Sequence, residues 1–162
     1  MERVSTFKFL GVQISESLSW TAHTTAAVKK AQQRLHFLRV LRRNRLNKKL
    51  LVSFYRATIE SVLSYSISGW YAGCSAADKK ALQRVIRMAE KTIGCPLPSL
   101  EHISTSRCRN RANKIIKDSS HPGHRLFSLL PSGRRYRRFK SRTNRLKNSL
   151  YPWAVRLLNH HT

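Results

Sequence analysis

The sequence predicts a mainly α-helical fold: a small helical bundle of three to four helices, with a short β-hairpin at its N-terminus and a basic segment at its C-terminus. Three observations predict it. Beyond residue 20, apolar residues recur at steps of three and four over long stretches, as on helices with one buried face. Before that point "TFKFLGVQIS" (residues 6–15) sets large apolar side chains around a single glycine, a pattern of strands rather than helices. After Asp118 no carboxylate remains, while Lys and Arg continue to accumulate. The boundaries read from these shifts are 1–20 for the hairpin, 21–95 for the bundle and 96–162 for the basic segment with its short helices.

Each element has its own grounds. Residues 20–44 form a first helix: Ser19 or Thr21 can cap it, and Val28, Ala31, Leu35, Leu38 and Leu41 make its apolar stripe. Lys29, Gln32, His36, Arg39 and Arg43 repeat at the same spacing on a separate polar face. A second helix is predicted from about residue 47 to 70, burying Leu51, Phe54, Tyr55, Ile59, Val62, Leu63, Ile67 and Trp70. The third starts at Ser75 with Asp78 in a capping-box-like position and buries Leu82, Val85, Ile86, Ala89 and Ile93. Gly94 stops it, and Pro96 and Pro98 prevent its continuation. A weaker fourth helix is expected over 105–117 with Ile115 and Ile116 inward, then a turn cluster, "DSSHPGH". Another turn at 131–133 leads into a basic run, and "NSLYPWAVRLLN" closes the chain as a short apolar helix. Short connections favour antiparallel neighbours, so the first three helices can close a bundle.

Charge points to the partner. Among 162 residues, 32 are Lys or Arg and 7 are Asp or Glu, a formal net charge of +25. Solubility requires far less, and nucleic-acid phosphates are the usual counterpart of such an excess. The excess concentrates in "RRNRLNKK" (residues 42–49) and "RRYRRFKSR" (residues 134–142). Arg forks match phosphate oxygens, and Tyr136 and Phe139, interleaved in the second run, are suited to stacking on bases. The candidate nucleic-acid-binding residues are therefore Lys29, Arg39, Arg42, Arg43, Arg45, Lys48 and Lys49, with Arg134, Arg135, Tyr136, Arg137, Arg138, Phe139, Lys140, Arg142 and Arg145. The expected partner is RNA, DNA or a hybrid duplex. No small-molecule substrate, cofactor or membrane is expected, and the oligomeric state is left open.

The residues also exclude chemistry. Two-metal polymerases and nucleases need clustered carboxylates, and the two aspartates, Asp78 and Asp118, are widely separated in sequence. No glycine-rich phosphate loop and no His-x-Asp element for non-haem iron is present. Cys95, Cys108, His121 and His124 make a permissible zinc set by type, but their spacing matches no zinc knuckle. Three unpaired-looking cysteines and no secretory leader predict an intracellular protein, nuclear or cytoplasmic, in which either basic run can pass for a nuclear-import patch. No catalytic residue and no metal ligand is assigned, and no enzyme activity is expected.

Beyond these patterns, "FKFLGVQISESLSW", "VKKAQQRLHFLRVLRR", "FYRATIESVLSYSISGWYAGCSAADKKALQRVIRMAEKTIG" and "HPGHRLFSLLPSGRRYRRFKSRTNRLKNSLYPWAVRLLN" resemble the C-terminal end of reverse transcriptases of vertebrate non-LTR retrotransposons of the jockey, CR1 and L2 type. The resemblance covers about residues 6–159. It implies that 1–20 is a truncated palm-edge hairpin remnant, with Phe9, Leu10 and Gly11 in a primer-grip-like position, and that 21–95 is thumb-like. The family's catalytic aspartates have no counterpart here, so the resemblance implies a polymerase remnant that binds nucleic acid without extending it. Residues 6 to about 41 are also similar to a small domain named after the N-terminus of the eighth AlkB homologue, a tRNA-modifying protein. That second resemblance would imply an oxygenase or methyltransferase context, for which this chain carries neither an iron triad nor a cofactor-binding glycine motif. A translated fragment without function is the remaining alternative.

Overall fold

The computed structural model describes residues 4–160; the ends of the predicted 1–20 and 96–162 segments lie outside it. Mainly helical, with one short antiparallel hairpin, the chain divides into two compact units. One takes the chain up to Ile67 together with Cys74–Leu100; the other takes Ser68–Gly73 together with the chain from Glu101 onward.

In the first unit, β1 (Thr6–Phe9) pairs antiparallel with β2 (Val12–Ser15), Phe9 opposite Val12 and Lys8 opposite Gln13. Leu10 and Gly11 make the two-residue turn, with φ of 45° and 82°. Positive φ at both positions is the twist that suits a tight hairpin, and glycine supplies the second at no steric cost. Glu16 N–H to the Ser5 carbonyl, 2.9 Å, extends the ladder by one step.

Helix α1 (Thr21–Arg43) is long, as its periodicity requires, and buries Ala27, Ala31, Leu35 and Leu38. Its start corrects the expected cap. Trp20 occupies the N-cap position without a side-chain bond, while Thr21 and Thr24 send their hydroxyls to Asp78. The end is unusual too: Arg45 has φ 57°, the left-handed place that glycine commonly fills after a helix.

The predicted second helix is not one rod. It consists of α2 (Lys48–Tyr55), capped by the Asn47 side chain, a π-helical turn over Arg56–Glu60, and the short α3 (Ser61–Leu63). Ser66, at φ 50°, then breaks the helix before α4 (Ile67–Trp70). The π-turn inserts one residue per turn beyond the α register. The Thr58 and Ser61 hydroxyls each donate to a carbonyl four residues earlier, Phe54 and Ala57, both at 2.7 Å. Leu51, Tyr55, Ile59 and Leu63 remain buried through the irregularity, so the core stripe survives it.

Helix α5 (Ala76–Ile93) follows the expectation closely. Ser75 accepts from the Asp78 N–H, Leu82, Val85, Ile86, Ala89 and Ile93 are buried, and Gly94 closes it in the left-handed conformation. α5 packs along α1. Each fully buried Leu or Ile on these faces contributes about 1.5–3 kcal/mol.

The second unit is built on α6 (Leu100–Lys117), which begins earlier than the predicted residue 105, with Ser104 and Cys108 buried on it. Turns with a short 3₁₀ segment (His124–Leu126) lead to α7 (Asn144–Lys147) and α8 (Leu150–Asn159). Cys108, Ala112 and Ile115 of α6 meet Phe127 and Trp153, Ala154 and Val155 of α8 in an apolar cluster. Gly123 allows a close approach there: a Cβ on it would stand 2.5 Å from the Tyr151 hydroxyl, and the tyrosine would have to shift.

Candidate nucleic-acid interface

The basic run of the second unit is held, not loose. Leu129 and Tyr136 form a β-bridge across the turn at 131–133, supported by Leu130 N–H to the Arg135 carbonyl and Arg137 N–H to the Ser128 carbonyl, both 2.8 Å. Asn159, buried at the end of α8, clasps Tyr136. Its Oδ1 accepts from the Tyr136 N–H at 2.9 Å, and its Nδ2 donates to the Tyr136 carbonyl at 3.0 Å. With the backbone fixed, Arg134, Arg135, Arg137, Arg138, Lys140, Arg142 and Arg145 are all exposed.

Tyr136 and Phe139 are differently placed from their arginine neighbours. Both are half-buried and pack against the apolar cluster, Tyr136 edge-on to Phe127 with centroids 6.2 Å apart. The structure thus gives both rings a packing task that the sequence pattern did not reveal.

In the first unit, Lys29, Arg39, Arg42, Arg43, Arg45, Lys48 and Lys49 are exposed as well. Lys29 joins residues that sequence reading missed. Between the hairpin and α1 lies a groove of about 610 Å³, lined by Lys8, Lys29 and Lys30, by Gln13 and Gln33, and by Ala26, Ala27, Val62 and Tyr65 among others. No carboxylate lines it. Two patterns could have found it: Lys8 and Gln13 are cross-strand partners, and Ala26, Lys30 and Gln33 recur at helical spacing.

Two side chains fix the hairpin over this groove. The Tyr65 hydroxyl donates to the Leu10 carbonyl at 2.8 Å, and its ring lies against Gly11, where an added Cβ would be 3.0 Å from Cε1. The His23 Nδ1 accepts from the Gln13 N–H at 3.4 Å, and burial holds its imidazole below the ordinary value. Of the three residues for which the resemblance implied a primer-grip-like position, Phe9 and Leu10 are largely exposed, while Gly11 meets Tyr65.

The acids and thiols are occupied elsewhere. Burial alone would raise the Asp78 carboxyl, but the hydroxyls of Ser75, Thr24 and Thr21, at 2.7, 3.0 and 3.1 Å, bring it below the usual carboxylate range. Asp118, exposed, is lowered by its bonds from the Ser120 hydroxyl and N–H. Burial pushes the Cys74 and Cys108 thiols up to about 12 and about 11, so neither offers a thiolate near neutral pH. His121 accepts from the Gly123 N–H, and His124 Nδ1 lies 3.2 Å from the Ile115 carbonyl. Among the described residues no three of His, Cys, Asp and Glu gather as a metal site, and no helix is long and apolar enough to cross a membrane.

Residues 20–61 match the family model described as "Alkylated DNA repair protein alkB homolog 8, N-terminal". The match covers about a quarter of the chain. It begins after the hairpin and runs through α1, α2 and the π-turn, rather than over the 6–41 expected from sequence. No curated protein and no solved structure matches the chain.

Proposed function

We propose that this chain is a nucleic-acid-binding module without an active site of its own, and that phosphate contacts carry its affinity. The observation behind this reading is the clasped basic segment. Seven exposed cations, Arg134, Arg135, Arg137, Arg138, Lys140, Arg142 and Arg145, stand on a stretch with no carboxylate after Asp118. A fixed backbone lowers the ordering cost when such side chains meet a polyanion. The lysine-lined groove supplies a second cationic surface, in the first unit. Contacts of this kind position a strand without reading its sequence.

Two origins are compatible with this binding. The family match supports the reading of an AlkB-homologue-type N-terminal domain, named for a protein that repairs alkylated DNA. The finer reading, a reverse-transcriptase remnant lacking its palm, rests on the resemblance of the sequence stretches alone. Both give an accessory binding module rather than a catalyst. Asp78 is engaged by three hydroxyls and Asp118 by Ser120, so neither stands ready as half of a metal-binding pair.

Salt titration of a labelled oligonucleotide tests the reading. Each neutralised phosphate adds about 0.9 to the log–log slope on B-form duplex. Replacing Arg134, Arg135, Arg137 and Arg138 with Ala should flatten the slope by about 3 to 4, and replacing Lys8, Lys29 and Lys30 by about 2 to 3. A slope that neither variant changes would remove both surfaces from the binding site. Primer extension above background with Mg²⁺, lost on Asp78→Asn, would overturn the non-catalytic part.

A further inference from the structure

The π-turn has a consequence on the outer side of the first unit. There Phe54, Ala57 and Thr58 form one wall of a second groove, of about 480 Å³, and Arg34, Phe37, Val40 and Leu41 of α1 form the other. The walls are mainly apolar and open to solvent: Phe37 is 58% and Val40 36% exposed. Arg34 crosses the groove and donates through Nη1 to the Thr58 carbonyl, inside the π-turn. Its remaining guanidinium N–H groups are still donors.

We propose that this groove docks an acidic amphipathic helix of a partner protein. An apolar channel between two helices takes the apolar face of a third, with anchors three and four residues apart. The charge of the occupant follows from the surroundings. No carboxylate occurs between Glu16 and Glu60, while α1 and α2 carry, besides the lysines of the hairpin groove, Arg34, Arg39, Arg42, Arg43, Lys48 and Lys49. A helix with apolar anchors and flanking Glu or Asp complements both features. A second copy of this chain does not, because copies with a net charge of +25 repel. Nucleic acid is disfavoured here because the lining, with Phe37, Val40, Leu41, Phe54 and Ala57, is mainly apolar and includes a single cation, Arg34, where a phosphate backbone is best met by several.

The full chain can be titrated against a fluorescent amphipathic peptide of about 16 residues, with Leu at helical spacing and Glu on the opposite face. Controls are a scrambled peptide of the same composition and a single-stranded oligonucleotide. Phe37→Ala and Val40→Ala alter exposed side chains, so unchanged circular dichroism is expected. Each should weaken the amphipathic peptide about tenfold and leave the oligonucleotide unaffected. Arg34→Gln should weaken that peptide more than a variant with Gln in place of Glu. Absence of peptide binding, equal binding of the scrambled peptide, or indifference to Phe37→Ala would each overturn the proposal. An oligonucleotide affinity that falls with Phe37→Ala would assign the groove to nucleic acid instead.

Discussion

The hairpin and the clasped basic segment are both stretches of extended pairing among the described residues, and they are held to different degrees. The hairpin is attached at its tip by an exposed hydrogen bond from Tyr65, and along the half-buried β2 by the longer, part-buried Gln13–His23 contact. At its end the Ser15 hydroxyl donates to the Ser19 carbonyl and accepts from the Ser19 N–H. Phe7 and Phe9 stack on each other with centroids 6.5 Å apart, on a face that stays largely in solvent. The basic segment is attached by a bidentate clasp from a buried Asn159 and by the packing of Tyr136 and Phe139. The exposed Tyr65 bond contributes little net, whereas the two shorter, part-buried bonds of the clasp act together with ring packing and leave poorly hydrated groups behind when broken. The polar, arginine-rich segment should therefore be the more firmly held of the two, although the hairpin carries more β-forming residues.

The largest effect should come from the packing under the clasp. Trp153→Ala removes a buried indole from the apolar cluster of the second unit and should cost about 3–5 kcal/mol. Amide exchange at 128–140 and along α8 should quicken sharply, while the hairpin amides keep their rates. Quickening of both regions together would break the comparison. Asn159→Ala comes next. It deletes both bonds to the Tyr136 backbone and should cost about 1–3 kcal/mol, with the loss seen first at the amides of Leu130 and Arg137.

Effects on the hairpin should be smaller. Tyr65→Phe removes the bond to the Leu10 carbonyl, which water can replace, so the cost should sit near the lower end of about 0.5–1.5 kcal/mol. Only the hairpin should exchange faster. Leu10→Asn should act in the opposite direction, because Asn tolerates the positive φ that Leu10 holds at 45° and completes an Asn-Gly turn. Slower exchange at Phe9 and Val12 would show that turn strain limits the hairpin. Unchanged exchange would place the weakness in its exposed face.

The same contrast explains what was legible in the sequence. α1 and α5 could be read because each buries one stripe at helical spacing, and Ser75, Asp78 and Gly94 mark the ends of α5. The hairpin was signalled by Gly11. The π-turn was not visible, since Tyr55, Ile59 and Leu63 keep a stripe of ordinary helical spacing across it. The break at Ser66 has no proline or glycine to announce it. Arg45 likewise sits in a conformation that its side chain does not predict. The cations of the candidate interface were evident from composition. Each wall of the lysine groove left its own pattern, but their union left none, because Lys8 joins Lys29 and Lys30 only through the hairpin's attachment to α1. The Asn159 clasp was hidden as well: an Asn at the end of a helix reads as a terminator, and its partner Tyr136 is remote in sequence.

The smallest expected effect is also the most selective: protonation of His23. Its Nδ1 accepts from the Gln13 N–H, so the bond requires the neutral ring. Burial favours that neutral form and lowers the value from its ordinary 6.5. A depressed value means that the fold binds this proton less readily than the unfolded chain does. The contribution is therefore fully present above about pH 6.5 and is lost as the pH falls through the depressed folded value. Asp78 is also lowered, so its contribution fades in the same direction, but only in the carboxylate range, and at the Ser75, Thr21 and Thr24 contacts rather than in the hairpin. Between pH 7.5 and 5, protection of the Gln13 amide, corrected for intrinsic exchange, should fall while the α1 and α5 amides hold. The His23→Gln variant should lose this dependence. If Gln13 protection stays level across that range in the unmodified chain, the imidazole does not fasten the hairpin, and the Tyr65 and Ser15 bonds and the packing of β2 on α1 carry the attachment.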